Sequence, residues 1–355
     1  MRAAIDRWIF EEYRPGAPGL PLYRVLFAGY VLLLAVPRHG WIAGFPDAFF
    51  RPPLGPTLLF GGFPPAWFFH GLDFGLLLAG LCLPAGYRPR IASLAIALLL
   101  LSGNAWAYSF GKINHDLLPI VAAGVLAFSG WEGPLVERPP RERPARERPA
   151  WPLALLAMLV AMAMYTAAHA KLRSGWLDPG AQASLGHLLH NHFVTERQTA
   201  LSTLLLRVDN PLFWKLSDYA TVALEAGFLL AMLRRRALLF WCALASWFHL
   251  GVLLSLGIPF HTNLLVYGAF VDWSALTRRR AGARLAERFD ALAARVGPSH
   301  LLAGAALIFV FYRLVGDVLH PPLIWGMHLT AAAIALAAGA RGFTGGLNRR
   351  TTVRS

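Results

Sequence analysis

The chain has few charged residues for its length. Of its 355 residues, 15% are charged and 56% are hydrophobic, whereas soluble domains carry about 25% charged residues. The mean hydropathy is +0.49, and the apolar residues come in long uncharged blocks. This composition excludes a soluble globular enzyme and a disordered protein, and it indicates a protein with several membrane spans.

Cysteine is also scarce. The two cysteines, Cys82 and Cys242, lie in apolar runs, so the sequence holds neither a disulfide framework nor a CxxC metal motif. His187, His190 and His192 stand close together, but no cysteine or carboxylate completes a zinc-type set beside them. No metal is therefore expected.

The apolar runs predict an all-α integral membrane protein, a helical bundle of about ten transmembrane spans. The predicted spans are 22–36, 66–83, 91–110, 113–129, 151–168, 212–233, 237–256, 258–271, 301–319 and 323–340. Several are close to the lower length limit for a helical span. The eighth begins with Pro259 and His261, which favours a short or re-entrant segment that lines a cavity.

The net charge of +14 comes from 33 basic and 19 acidic residues. The basic residues stand in short blocks between apolar runs, which is typical of the cytoplasmic loops of a membrane protein. With the N-terminus in the cytoplasm, alternate connections carry most of the arginines, including Arg234–Arg236 and Arg278–Arg280. We therefore expect a multi-pass protein of the cell inner (plasma) membrane with both termini cytoplasmic. Its expected partner is the lipid bilayer, and no nucleic acid is expected.

The same pattern divides the chain into parts. They are an N-terminal four-span part (1–135), a charged Pro/Arg cytoplasmic linker (136–150), spans five to eight (151–273) with an outer-face segment (171–211), a cytoplasmic amphipathic segment (274–299), and the last two spans with a basic tail (300–355). Apolar residues at helical spacing in the amphipathic segment predict a helix on the inner leaflet. In the outer-face segment we expect interfacial helices that cover a cavity.

Only three of the basic residues are lysines. A lysine can lose its proton near neutral pH and an arginine cannot, so a lysine in an arginine-rich chain is a candidate base. Lys112 shares a helix face with His115 at the start of the fourth span, and Lys171 follows His169 at the end of the Ala-rich fifth span. Desolvation there can leave a neutral amine that accepts a proton. The alternative for each lysine is an interfacial anchor whose ammonium group reaches the lipid headgroups.

Other ionisable residues inside the predicted spans are candidates because a charge within the membrane is costly. His249 in the seventh span needs a partner, and Glu225 in the sixth is the predicted one. His70 and Asp73 are three residues apart, share a helix face, and are predicted to satisfy each other. His328 is predicted to be a buried histidine with its hydrogen bonds satisfied.

Four stretches carry a family resemblance. They are Leu22–Val25 at the first span, Lys112–His115 before the fourth, Ala168–Trp176 at the end of the fifth, and Glu225 with Phe248 and His249 in the sixth and seventh. In order and spacing they resemble the HTTM domain, the transmembrane part of vitamin K-dependent gamma-carboxylases and their bacterial relatives. The resemblance covers roughly Pro21–Trp273.

The resemblance implies chemistry with a reduced quinone of the vitamin K or menaquinol type at an outward-facing site. It implies Lys171 as the base, His115 as a polar stabilising group and His249 as a further catalytic residue. It also implies a set of cofactor-binding residues, namely Lys112, His169, Glu225 and Arg24. The chain departs from the family at Ala170, where a second lysine is common, and it has two spans and a basic tail where eukaryotic carboxylases carry a large lumenal domain.

Two functions therefore remain open. One is a quinol-dependent membrane enzyme of the oxygenase or carboxylase type that abstracts a proton and acts on a small peptide or protein. The other is a non-catalytic membrane protein for the maturation, export or immunity of a small secreted peptide, since stand-alone bacterial members of the family include peptide-toxin maturation proteins.

Overall fold

The computed structural model describes residues 2–14, 19–36, 38–111, 116–135 and 149–351, except for the side chains of 315–321 and 337–351. These residues form fourteen α-helices and no β-strand. The helices are α1 (Arg2–Arg7), α2 (Leu20–Leu34), α3 (Ala66–Cys82), α4 (Pro89–Ala107), α5 (Leu117–Leu126), α6 (Trp151–Arg173), α7 (Ala183–Leu189), α8 (Ala200–Leu205), α9 (Pro211–Ala231), α10 (Arg235–Leu256), α11 (His261–Tyr267), α12 (Ser274–Thr277), α13 (Arg280–Ala293) and α14 (Pro298–Thr351). Short 3₁₀ and π turns lie at Trp8–Glu12, Gly40–Gly44, Asp47–Phe49, Pro56–Leu59, Tyr108–Phe110, His190–Val194 and Gly268–Phe270.

Three helices are long and apolar enough to cross a membrane. They are Pro89–Phe110, Trp151–Arg173 and Arg235–Leu256, and the bent pair of α13 with the start of α14 makes a fourth if it is counted as one span. Shorter apolar helices occupy Leu20–Leu34, Ala66–Cys82, Leu117–Leu126 and Pro322–Leu336. The chain is thus an all-helical protein with three to four helices of membrane-spanning length in its described part, fewer than the ten spans expected.

Of the remaining predicted spans, the sixth is the 21-residue α9, which carries the charged Lys215, Asp218 and Glu225, and several others are helical but short. The fourth is the ten-residue α5, and the eighth is the seven-residue α11 with a 3₁₀ turn after it, in line with the proline and histidine at its start. The two last predicted spans differ most, because α14 continues as one helix through the proline pair at 321–322. The fixed φ of proline is itself helical, so the backbone can pass through a proline at the loss of hydrogen bonds.

Short polar signals in the sequence set several helix ends. Asn210 caps α9 by accepting the N–H groups of Leu212 and Phe213, with a proline at the first helical position. Thr199 and Ser202 form a reciprocal capping box at α8. Gly257, with a φ of 65°, ends α10 in the left-handed conformation that glycine adopts without strain.

The described chain forms two compact units. The first unit is Met1–Leu156 with Gly268–Leu323, and the second is Ala157–Tyr267 with Ile324–Ser355. In the first unit α2, α3, α4 and α5 pack in sequence order. Its core includes the fully buried rings of Tyr23, Phe27 and Trp131.

At one end of the first unit, two charged side chains bind backbone groups of the segment after α5. Arg24 donates from one guanidinium nitrogen to the carbonyls of Trp131 (3.1 Å) and Gly133 (3.3 Å). The carboxylate of Asp290 on α13 accepts the N–H of Leu135 at 3.0 Å. Charge alternation had assigned all these segments to the cytoplasmic side, and they do lie together.

At the other end, Asp73 organises the chain that follows α2. Its carboxylate accepts three consecutive backbone N–H groups, of Arg38, His39 and Gly40, and contacts the His39 ring at 3.1 Å. The predicted pairing of Asp73 with His70 is therefore wrong. The sequence could not show that residues 38–40 fold back onto α3 and offer it better-placed donors.

Candidate functional site

The second unit contains a partly buried ion pair between α6 and α9. Lys171 Nζ lies 2.7 Å and 2.8 Å from the two carboxylate oxygens of Glu225. The Lys171 side chain is 21% exposed and that of Glu225 is 8% exposed. Helix α6 runs to Arg173, beyond the predicted end of the fifth span at Ala168. Lys171 is therefore held on a helical turn, facing α9.

The chain turns back over this lysine directly after α6. The Lys171 carbonyl accepts the N–H groups of Ser174 and Trp176, and Gly175 in the turn has a φ of 81°. This places the Trp176 ring with its centroid 5.2 Å from Lys171 Nζ, a cation–π contact. The other neighbour of Trp176 is the His187 ring of α7, at 5.4 Å. Trp176 thus joins the lysine to the segment that follows it.

A second ion pair fixes that segment to α9. Lys215 Nζ donates to Asp218 at 3.0 Å and to the carbonyl of Trp176 at 3.0 Å. Asp218 also accepts the N–H groups of Ala183 and Ser184, which open α7. Negative charge at a helix N-terminus is stabilising. Asp218 and its lysine partner therefore hold in place the indole that contacts Lys171.

The interior of the second unit is also polar. His249 is fully buried, its Nε2 lies 3.2 Å from the Tyr267 hydroxyl, and its ring stacks on Phe260 at 4.5 Å. The Tyr267 hydroxyl also donates to the sulfur of Met164 at 3.6 Å. The hydrogen-bonding partner found for His249 is thus Tyr267, whereas Glu225, its predicted partner, binds Lys171.

Among the other sequence-predicted site residues of the second unit, His169 does not face this ion pair. His169 is exposed and lies beside Tyr165, because residues two apart on a helix point in different directions. Arg24 belongs to the first unit, where its guanidinium group donates to two backbone carbonyls, and its role in cofactor binding stays a prediction. Lys112 and His115 lie outside the described residues.

Sequence reasoning missed two participants, Lys215 and Tyr267. Lys215 could have been found, because it is the third lysine of an arginine-rich chain and stands three residues before Asp218. Tyr267 carries no such signal, since a tyrosine near the end of an apolar run is ordinary. His328 was predicted correctly: it is buried, its Nδ1 faces the Ile324 carbonyl and its Nε2 accepts the Phe260 N–H.

The arrangement around Lys171 suits a flat ligand with a weakly acidic hydroxyl group. Trp176 offers an aromatic face, and Lys171 is partly accessible beside a carboxylate that can store a proton. A reduced quinone has this shape and chemistry, so the residues present fit the group that the resemblance implies. In the described part of the chain, no three histidine, cysteine or carboxylate side chains are grouped to hold a metal ion.

Comparison of the chain with models of protein families, with curated proteins and with solved structures finds no match. A functional conclusion therefore rests on the residues and their geometry. The strongest feature is the Lys171–Glu225 pair, because a carboxylate buried between two helices is costly to form and is stabilised here by the lysine beside it.

Proposed function

We propose that this chain is a plasma-membrane enzyme of about ten spans whose Lys171–Glu225 pair accepts a proton from the hydroxyl of a reduced quinone. The observation that carries the proposal is the position of Lys171 Nζ, 2.7 Å from a buried carboxylate and against an aromatic ring. The quinone would supply an acidic aromatic hydroxyl and, with oxygen, the oxidising chemistry of the carboxylase family.

Glu225 gives Lys171 a route to its basic form. In the resting pair the carboxylate favours the ammonium form of the lysine. A low-dielectric interior disfavours both charges, so transfer of one proton from Nζ to a Glu225 oxygen gives a neutral pair at moderate cost. The amine can then take a proton from a bound hydroxyl group, and the new ammonium lies beside the resulting oxyanion. Glu225 is thus the proton store and Lys171 the base.

The proposed topology has both termini and residues 136–150 in the cytoplasm and residues 171–211 outside. The grouping of Arg24, Trp131 and Asp290 at one end of the first unit supports the alternation of the spans. Reporter fusions test the orientation. A reporter that works only in the cytoplasm should be active when fused at Arg143, and one that works only in the periplasm should be active at Gln182. The opposite result would place Lys171 on the cytoplasmic side and contradict an outward-facing site.

A non-catalytic function in handling a small secreted peptide is the second candidate. The observation in its favour is the apolar surface of the segment after α6, where Phe193 is 63% and Val194 69% exposed. A hydrophobic peptide could bind such a surface without chemistry at Lys171. This function requires no proton transfer, so a charge-conserving change of the lysine separates the two candidates.

Lys171→Arg is the deciding experiment. Arginine keeps the charge and can bind Glu225 with two parallel hydrogen bonds, so the fold should persist, but it has no accessible neutral form. Oxygen-dependent consumption of a short-chain naphthoquinol by the purified protein should fall about 10²–10⁴-fold. The midpoint of the SDS titration of the Lys171→Arg protein should match that of the wild type, which separates a loss of chemistry from a loss of folding. An active Lys171→Arg protein, or a wild type that never consumes the quinol, would overturn the proposal.

A further inference from the structure

Helix α13 exposes two leucines on a surface that the rest of the first unit does not cover. Leu285 is 71% exposed and Leu292 is 64% exposed. They are seven residues apart, so they lie on the same face of the helix, two turns from each other. The side that packs against the protein is centred on the buried Ala286, and the half-buried Phe289, four residues after Leu285, lies at the border between that side and the leucines.

Arginines flank these leucines. Arg288 is three residues after Leu285 and four before Leu292, which places it between them on the helix surface. Arg284 and Arg295 continue the same exposed basic strip. Of the two acidic residues of the helix, Asp290 binds the Leu135 N–H on the protein side, and the exposed Glu287 stands three residues after Arg284, so three arginines outnumber one carboxylate on this surface.

The bend after α13 fits a helix that lies along a membrane surface. The axis turns by 102° between Arg280–Ala293 and Pro298–Leu314. The second of these helices is apolar and exposes Leu302, Leu307 and Leu314, as a helix in contact with lipid tails does. If it crosses the bilayer, α13 runs nearly parallel to the bilayer plane at the level of the headgroups.

We propose that α13 is a binding surface for anionic phospholipid headgroups. Leu285 and Leu292 enter the boundary between headgroups and acyl chains, and Arg284, Arg288 and Arg295 bind the phosphate groups beside them. This division of a helix into an apolar strip and a basic strip is the physical basis of interfacial binding. The contact of Asp290 with Leu135 fixes the helix so that both strips face away from the protein.

The test follows an environment-sensitive fluorophore on α13 in the full-length protein. Ala281→Cys places the label one turn from Leu285 and leaves both leucines intact, with Cys82 and Cys242 replaced by alanine. The protein is reconstituted in vesicles of phosphatidylcholine alone or mixed with phosphatidylglycerol. Emission should be brighter and shifted to the blue in the mixed vesicles, and high salt should reverse the shift because it screens the phosphates.

The charge dependence is tested by Arg284→Gln with Arg288→Gln. Each arginine near an anionic surface contributes about a fivefold change, so the ratio of docked to undocked helix should fall roughly 30-fold. Arg51→Gln with Arg207→Gln makes the same charge change on other exposed segments and should leave emission unchanged. Equal emission in both lipids, an equal effect of the control pair, or insensitivity to salt would each overturn the proposal.

Discussion

Removal of Lys171 should destabilise the protein in a way that depends on pH. Lys171→Met leaves the Glu225 carboxylate, 8% exposed, without its cation. A buried charge that loses its partner costs about 3–5 kcal/mol, but a carboxyl group can avoid this by folding in its protonated form. For a group that ionises near pH 4.3 in water, taking up the proton at pH 7 costs about 3.7 kcal/mol, or about 1.4 kcal/mol per pH unit.

The sign of this pH dependence follows from the number of protons bound by the folded and the unfolded variant. The folded variant binds one proton more than its unfolded chain, so its stability falls as the pH rises. Relative to the wild type, the loss in the free energy of unfolding should be about 3–4 kcal/mol at pH 7 and about 1 kcal/mol at pH 5. Titration with SDS in mixed micelles, followed by tryptophan fluorescence, measures this difference at each pH.

The double variant Lys171→Met with Glu225→Gln is the control. It removes the buried carboxyl group together with its partner, so it should regain most of the stability and lose the pH dependence. A loss of stability in Lys171→Met that is the same at pH 5 and pH 7 would refute the reasoning. The same conclusion would follow if the double variant were no more stable than the single one.

Three further predictions concern packing and capping. Asp73→Ala removes the acceptor of three backbone N–H groups and of the buried His39 ring, so the free energy of unfolding should fall by at least about 3 kcal/mol in an SDS titration. A Cβ at Gly103 would overlap the imidazole of His39, so Gly103→Ala should cost about 1–3 kcal/mol. At Gly29 nothing lies within 4 Å, and Gly29→Ala in the same assay should cost nothing. Asp218→Ala removes the acceptor that holds the start of α7, so limited proteolysis should cut the segment after α6 faster, and an unchanged rate would contradict its anchoring role.

The sequence predicts which segments are helical more accurately than it predicts the residues at which the helices end. Long apolar runs locate α3, α6 and α10 within a few residues, because burial in an apolar medium favours helices wherever polar groups are few. The end of α6 was placed at Ala168, and the structure extends it to Arg173. The extension includes Lys171, whose charge would normally mark the end of a span but is here compensated by another helix. The residues around Lys171 give no indication of its partner, because Glu225 belongs to a different helix.

The central residues of the candidate site were predictable from the sequence, but their contacts were not. Lys171 and Glu225 both follow from the cost of charge inside a span and from the resemblance. Their pairing with each other, and that of His249 with Tyr267, depends on the rotation of each helix about its axis. A rotation of one residue, about 100°, changes which side chain faces the neighbour. Only tertiary packing sets that angle, so the sequence could not show that Glu225 pairs with Lys171 and not with His249.

The two carboxylates of α9 show why the proton chemistry is assigned to one of them. Asp218 and Glu225 are seven residues apart, about 10 Å along the same helix face. Asp218 accepts hydrogen bonds from two backbone N–H groups and from the ammonium group of Lys215, which also donates to the Trp176 carbonyl. A proton on Asp218 would disrupt contacts that hold the chain in place.

Glu225 is bound differently. Within the described chain its hydrogen bonds come from Lys171 alone, and a carboxylate has about four acceptor positions. A proton that moves from Lys171 to Glu225 keeps the bond between them and breaks no contact with the backbone. Asp218 therefore fixes the structure, and Glu225 is the carboxylate whose contacts suit the proton transfer that we propose for Lys171.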